Sequence, residues 1–188
     1  MADHTKITIS KIDAARSQLD TAIELWFYDK DPVSIHTLAA AAYQITHDIK
    51  LQRGIDHDLL YDSRIVKEEY RGLWINTMKK AQNFFKHADR DADGTVDLPT
   101  LGNLVFMMVA AGGLRLLGAP GSYQVGALLL WLTIHEPQLI KPEYLEKFKQ
   151  GMQGLGIDDL EDVRSIGKID FFEHYMRTSL ATGAISGG

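Results

Sequence analysis

The chain has 188 residues, of which 45% are hydrophobic, enough to bury a core in one domain or in one domain with a small appendage. It contains no cysteine, which excludes disulfides and thiolate metal sites. The net charge of -5 does not favour a general nucleic-acid binder. The start, Met1-Ala2-Asp3-His4-Thr5-Lys6, has no apolar segment of the signal-peptide kind, and a cytoplasmic protein is expected.

Ser10-x-x-Asp13 reads as a capping box, followed by Ile12, Ala15, Leu19, Ala22, Ile23, Trp26 and Phe27 at helical spacing. Asp29-Lys30-Asp31-Pro32 breaks this helix. Asp31 is placed to cap a second one, with Pro32 at its first position, running to about Gln52 and stopping at Gly54. The short break predicts an antiparallel pair. Ala39 to Ala42 lets another helix approach closely, as in a bundle centre or a dimer seam. A polar loop, Ile55 to Asp58, precedes a third helix expected from about Arg64 to His87. Its predicted apolar stripe is Leu73, Trp74, Thr77, Met78, Ala81, Phe84, Phe85 and Ala88.

The most apolar stretch, Leu104 to Ile134, is interrupted by Gly112-Gly113, Arg115 and Pro120-Gly121. It reads as two buried helices, about Pro99–Leu117 and Ser122–His135, and not as a membrane span. Shorter helices are expected near Pro142–Met152, Asp158–Ile166 and Ile169–Leu180, with a loose tail from Ala181. No period-two strand pattern occurs. The expectation is an all-α multi-helix bundle forming a single domain over 1–188, with core helices over about 10–135 and a helical appendage over about 138–182.

The chemistry concentrates around the third helix. From Arg64 to Arg90 there are seven basic residues against three acidic, a local excess of four on an acidic chain. Asn76, Lys80, Asn83 and His87 fall at i, i+4, i+7 and i+11, one polar stripe beside the apolar face. With Lys86 they form a candidate site for a polar or anionic ligand, the amides and imidazole hydrogen-bonding and the lysines supplying charge. An ordinary wet helix face has the same pattern.

Asp89, Asp91 and Asp93, with Gly94, Thr95 and Asp97, match the first nine positions of a calcium loop. The twelfth position, which needs a bidentate Glu, is Thr100, so a weak site or a plain Asp/Gly turn is expected. His36 and His47 share a face of the second helix about 16 Å apart and cannot bind one metal together. A metal-dependent enzyme would need histidines and carboxylates converging from different helices. No Gly-x-Ser-x-Gly, Walker, HExxH or GxGxxG motif occurs, and no DNA-specific motif or cofactor is legible.

Gln82-Asn83-Phe84-Phe85-Lys86-His87 resembles the Arg-Asn-x-x-x-His motif of HEPN-type helical domains, with Gln82 in place of the Arg. The likeness covers six residues. From Asp31 through Asp89 the chain is also similar to uncharacterised bacterial helical proteins. The HEPN resemblance implies an up-and-down helical core, a homodimer with a shared groove, and nucleotide or RNA as the ligand. Without the Arg, no side chain at that position supplies the charge that a developing phosphorane wants, which implies binding without efficient nuclease activity. A protein-interaction module remains open beside these readings.

Overall fold

The computed structural model describes residues 6–89, 91–154 and 160–182. Its helices are α1 (Lys11–Phe27), α2 (Pro32–Gln52), α3 (Arg71–Phe84), α4 (Leu101–Leu116), α5 (Tyr123–His135), α6 (Pro142–Gly154), α7 (Glu161–Arg164) and α8 (Lys168–Thr182). Short 3₁₀ turns occur at Glu68–Tyr70 and Pro137–Leu139. No strand occurs among the described residues, and the class is all-α, as expected. The chain divides into two compact units, Met1–Pro120 and Gly121–Gly188. The boundary falls before α5, which lies in the second unit.

In the first unit, α1 and α2 form the antiparallel pair. Ser10 caps α1: its Oγ accepts from Asp13 N–H at 3.1 Å and donates to the Asp13 carboxylate at 2.6 Å. Asp29 takes a left-handed φ of 50° in the tight connection. Asp31 then caps α2, accepting from Ser34 N–H at 2.8 Å, with Pro32 opening the helix. Gly54, at φ 62°, closes α2.

Helix α4 packs on α2 in the same direction. Asn103, early in α4, meets Pro32 and His36 at the start of α2. Gly113 meets Thr46 further along, and Leu117 meets Arg53 at the far end. Ala39, Ala40 and Ala42 are fully buried within this unit, so they form its centre and let α1 and α4 approach α2 closely. A parallel pair cannot be joined by a tight turn. The long segment between Arg53 and Thr100 therefore crosses back along the bundle, and it carries α3.

That crossover differs from the sequence expectation. The helix predicted over Arg64–His87 is a 3₁₀ turn at Glu68–Tyr70 followed by the shorter α3. The side chain of Arg71 holds the preceding segment, donating to the carbonyls of Ser63 at 3.1 Å and Val66 at 3.0 Å and to Glu68. Those carbonyls are thereby tied to a guanidinium outside any continuous helix. The expected apolar stripe is also displaced: Leu73, Thr77 and Ala88 are exposed, and the buried residue of α3 is Gln82.

In the second unit, Trp131 stacks on His135 one turn later, centroids 3.6 Å apart, and meets Phe171 of α8 edge-on. Gly126 of α5 lies directly beneath the Tyr175 hydroxyl, which leaves no room for a larger residue. Of the helix expected at Asp158–Ile166, α7 covers Glu161–Arg164, and Asp158 and Asp159 lie outside the described residues.

The α2–α4 contact is testable. A Cβ on Gly113 would lie 2.6 Å from Thr46 Oγ1 and 2.9 Å from Thr46 Cβ, the latter close to the backbone. Gly113→Ala should destabilise the protein by about 1–3 kcal/mol, the usual cost of overpacking. Adding Thr46→Ala should recover only part of this, since it removes the hydroxyl and leaves the Cβ. Urea denaturation of the two variants checks both statements.

Candidate functional site

Helix α3 is a satellite of the bundle, held by a few defined contacts from α2 and the loop before it. The anchor is ionic. Lys50, only 4% exposed, pairs with the Asp62 carboxylate. Asp62 also accepts from Leu59 N–H at 2.9 Å and lies 3.9 Å from His47 Nε2. Burial alone would raise the Asp62 pKa; Lys50, the Leu59 amide and His47 outweigh it and hold the carboxyl below its usual range. Beside this pair, Tyr61 N–H donates to the Tyr43 hydroxyl at 2.9 Å, and the two rings meet edge-on at 4.6 Å. Burial pushes both phenols well above their ordinary pKa, so neither ionises near neutrality.

Tyr61 then carries α3. Lys79 Nζ sits 4.7 Å over its ring, and the Tyr61 hydroxyl makes a long 3.5 Å contact with the Gln82 side chain. Trp74 Nε1 donates to the Leu60 carbonyl at 2.6 Å. The inner face of α3 is thus set by Trp74, Lys79 and Gln82. Gln82 itself is inside, 4% exposed.

The outer face carries the predicted residues. Asn76, Lys80 and Asn83 lie exposed along α3, and Lys86 and His87 lie exposed just beyond it. The amides of Lys86 and His87 both donate to the Asn83 carbonyl, at 3.2 and 3.1 Å, so the helical hydrogen-bond pattern continues to His87. Among the described residues, none of these five side chains makes a hydrogen bond or ion pair. A shallow hollow of about 340 Å³ exists along α1, bordered by Asp13, Asp20 and Glu24, and none of the five lines it.

The turn bearing Lys86 and His87 is fixed from below by His36. This imidazole is 3% exposed and meets Phe85 and Phe106 edge-on, at 5.8 and 5.2 Å. Asn103 Nδ2 donates to the Pro32 carbonyl at 3.0 Å, which turns its Oδ1 toward His36 Nδ1 at 2.9 Å and makes that nitrogen the donor. His36 Nε2 is then a bare lone pair with no hydrogen-bond partner among the described residues. Burial lowers the His36 pKa, and the Asn103 bond pulls it part of the way back.

The metal expectations have no assembled counterpart. Asp91 and Asp93 are exposed, as is Asp89, and among the described residues no group of three or more histidines and carboxylates could hold a metal ion. The turn at Asp91 closes on itself instead, Gly94 N–H donating to the Asp91 carbonyl at 2.8 Å. A Cβ on Gly94 would lie 2.9 Å from that carbonyl and 3.3 Å from the Phe84 ring, so close packing accounts for the glycine. His47 is buried beside Asp62, and His135 is stacked under Trp131.

Sequence reasoning missed Lys50, Tyr61, Asp62 and Asn103. Lys50 did give a signal: it follows Tyr43 and His47 at i+7 and i+3 on the face that also holds His36, where an exposed lysine has no place. Asp62 gave none, because only the fold brings its loop to α2.

These groups can be tested by mutation and by titration. Asp62→Ala leaves the Lys50 ammonium buried and unpaired, and should cost about 3 kcal/mol, the low end for a buried pair because Asp62 keeps an edge in water. Lys50→Met added to it should restore much of that stability in urea denaturation. For the titration, the folded state resists protonating His36 while the unfolded chain accepts a proton near pH 6.5, so this stability is present above about 6.5 and falls as pH drops through the depressed folded value. His135, also lowered by burial, adds a component of the same sign. The acid-dependent destabilisation should therefore shrink, without vanishing, in His36→Phe. Comparison with protein-family models, curated proteins and solved structures finds no match for the chain.

Proposed function

We propose that the chain is a helical binding module that takes a polar, anionic ligand, RNA or a nucleotide, on the outer face of α3. Asn76, Asn83 and His87 are the hydrogen-bonding groups, and Lys80 and Lys86 supply the charge. The observation that carries this reading is the exposure of all five without an intramolecular partner among the described residues. Side chains of a merely solvated helix commonly pair with neighbours, as Lys149 does with Glu146 on α6. Here two ammonium groups, two amides and an imidazole share one face of a chain whose net charge is -5.

RNA is the better fit of the two. Small-molecule sites are concave and enclose their ligand, whereas an extended phosphate backbone can lie along an exposed helix face. Binding without efficient cleavage goes with it: Gln82 has no charge and faces the interior, so no cation stands beside Asn83 and His87 in the manner of the HEPN nucleases. We place this activity in the cytoplasm of a bacterium and in a homodimer. Among the described residues no helix is long and apolar enough to cross a membrane. Exposed Tyr70 and Leu73, at the head of α3, supply apolar surface for a second copy.

The test is fluorescence anisotropy with a single-stranded RNA 12-mer across a salt series. Lys80→Ala with Lys86→Ala should weaken binding about tenfold or more and flatten the logarithmic salt dependence by about 1.4, roughly 0.7 for each phosphate that the two lysines neutralise. Asn83→Ala should weaken binding and leave that slope alone. The RNA should be recovered intact. Unchanged affinity in the double lysine variant sinks the proposed face, and His87-dependent cleavage sinks the non-nucleolytic part.

A further inference from the structure

The α3 segment is joined to the bundle through two sets of contacts that differ in chemistry. Through Tyr61, whose loop is rooted by the Lys50–Asp62 pair, Lys79 and Gln82 are held by a cation–π contact and a long hydroxyl contact. One turn later, Phe85 meets the His36 imidazole edge-on. We propose that His36 is a proton-operated latch for this turn: neutral, it seats Phe85 and presents Lys86 and His87; protonated, it unseats Phe85 and releases them. The proposal deepens the ligand reading of the α3 face and rests on it for its effect on binding, though not for the movement itself.

The geometry supplies each step. In the neutral ring, Nδ1–H is satisfied by Asn103, and Nε2 is a lone pair facing no donor. A bare lone pair among hydrocarbon is tolerable. Protonation converts it into a charged N–H donor with no acceptor, a much costlier burial, and the ring must then reach water. The two ring walls are unequal. Phe106 belongs to α4, locked against α2 and 3% exposed. Phe85 is half-buried and stands beyond the end of α3, which α2 touches only sparsely. Phe85 is the wall that yields, and Lys86 and His87 follow it in the chain.

Among the described residues no fixed charge offsets this. From α4 the ring meets Asn103 and Phe106, both uncharged; from the turn it meets Phe85. Titratable groups on α2 and in the turn include Asp31, committed to Ser34, Tyr43, whose hydroxyl accepts from Tyr61 N–H, and the exposed Lys86, His87 and Asp89. Among the described residues no charged group makes a hydrogen bond or ion pair with His36. The burial that lowers the His36 pKa is consistent with a ring held neutral at the ordinary working pH.

The predicted binding response is opposite in sign to bare electrostatics. Acidification adds positive charge to the protein, which alone strengthens binding of an anion. The latch instead weakens it, because the competent turn becomes less populated; a latch nine-tenths open lowers apparent affinity about tenfold.

The experiment uses the full chain, with ¹⁵N correlation spectra recorded from pH 8 to pH 5. A His87→Asn background removes the local imidazole. The amides of Phe85 and Lys86 should move between two positions in step with the His36 ring, and stay put in His36→Phe. Amides that titrate identically with and without His36, or that never move while the His36 ring titrates, overturn the latch. Should His36→Phe fail to fold, Phe85→Ala replaces it: with the yielding wall gone, the Lys86 amide should sit near the released position already at pH 8, and a pH response unchanged from the parent overturns the proposal. The RNA 12-mer is then titrated into the wild-type protein at both extremes. Weaker binding at low pH supports the latch as regulator, and stronger binding overturns that role. Absence of binding at either pH removes the ligand reading, while the spectra still decide the movement.

Discussion

The constraint on which the first unit depends is the parallel packing of α2 and α4. Thr46 and Gly113 fix their separation, and three fully buried alanines let α1 close on the other side. At roughly 1.5 Å per residue α2, of 21 residues, is about 32 Å long and α4, of 16, about 24 Å, and the chain joining the parallel pair must travel back along them. The crossover from Arg53 to Thr100 exists for this reason. Its backbone is irregular over much of its length, and irregular backbone against a bundle needs partners for its polar groups. The side of α2 left for it therefore carries His36, Tyr43, His47 and Lys50 instead of leucines. What looks like a polar defect in a buried helix is the docking strip for the crossover.

From this follows the position of α3. A crossover needs to return, and it does not need to be buried. Helix α3 is held where the strip reaches it, at Trp74, Lys79 and Gln82, and at Phe85. Asn76, Lys80 and Asn83 face outward. An amphipathic helix in a bundle spends its apolar face on the core and leaves a wet face by default. Helix α3 buries Gln82 and half-buries Trp74, Met78, Ala81 and Phe84, and its outer amides and ammonium groups make no hydrogen bond or ion pair among the described residues.

Much of the architecture was legible. Ser10, Asp31, Pro32 and Gly54 mark helix ends through local hydrogen bonds and backbone preference, and those signals do not depend on the rest of the fold. The exposed residues of the α3 face were legible too, because their spacing alone puts them in line. The limits of α3 were not, and neither was its buried side. Between Arg64 and Tyr70 the helical pattern is real in the sequence, but Arg71 binds the carbonyls of Ser63, just before that stretch, and of Val66 within it, and the helix does not form there. Gln82 is buried because Tyr61 waits beneath it, and Tyr61 comes from a loop whose path no periodicity encodes. The site's support is made of long-range contacts, 67 residues apart in the case of His36 and Asn103, and such contacts are invisible to a local reading.

The two sets of contacts have a consequence for what α3 can do. Tyr61 holds α3 at Lys79 and Gln82, and His36 meets Phe85 one turn later. Lys80 lies next to Lys79 and Lys86 follows Phe85, so a movement of Phe85 alone changes the distance between the two lysines. A ligand that needs one cation engages a point and is indifferent to such motion. A ligand that spans both senses the distance between them, as a phosphate chain does. Under the proposal that the α3 face takes RNA, that distance is what a phosphate chain spanning both lysines reads.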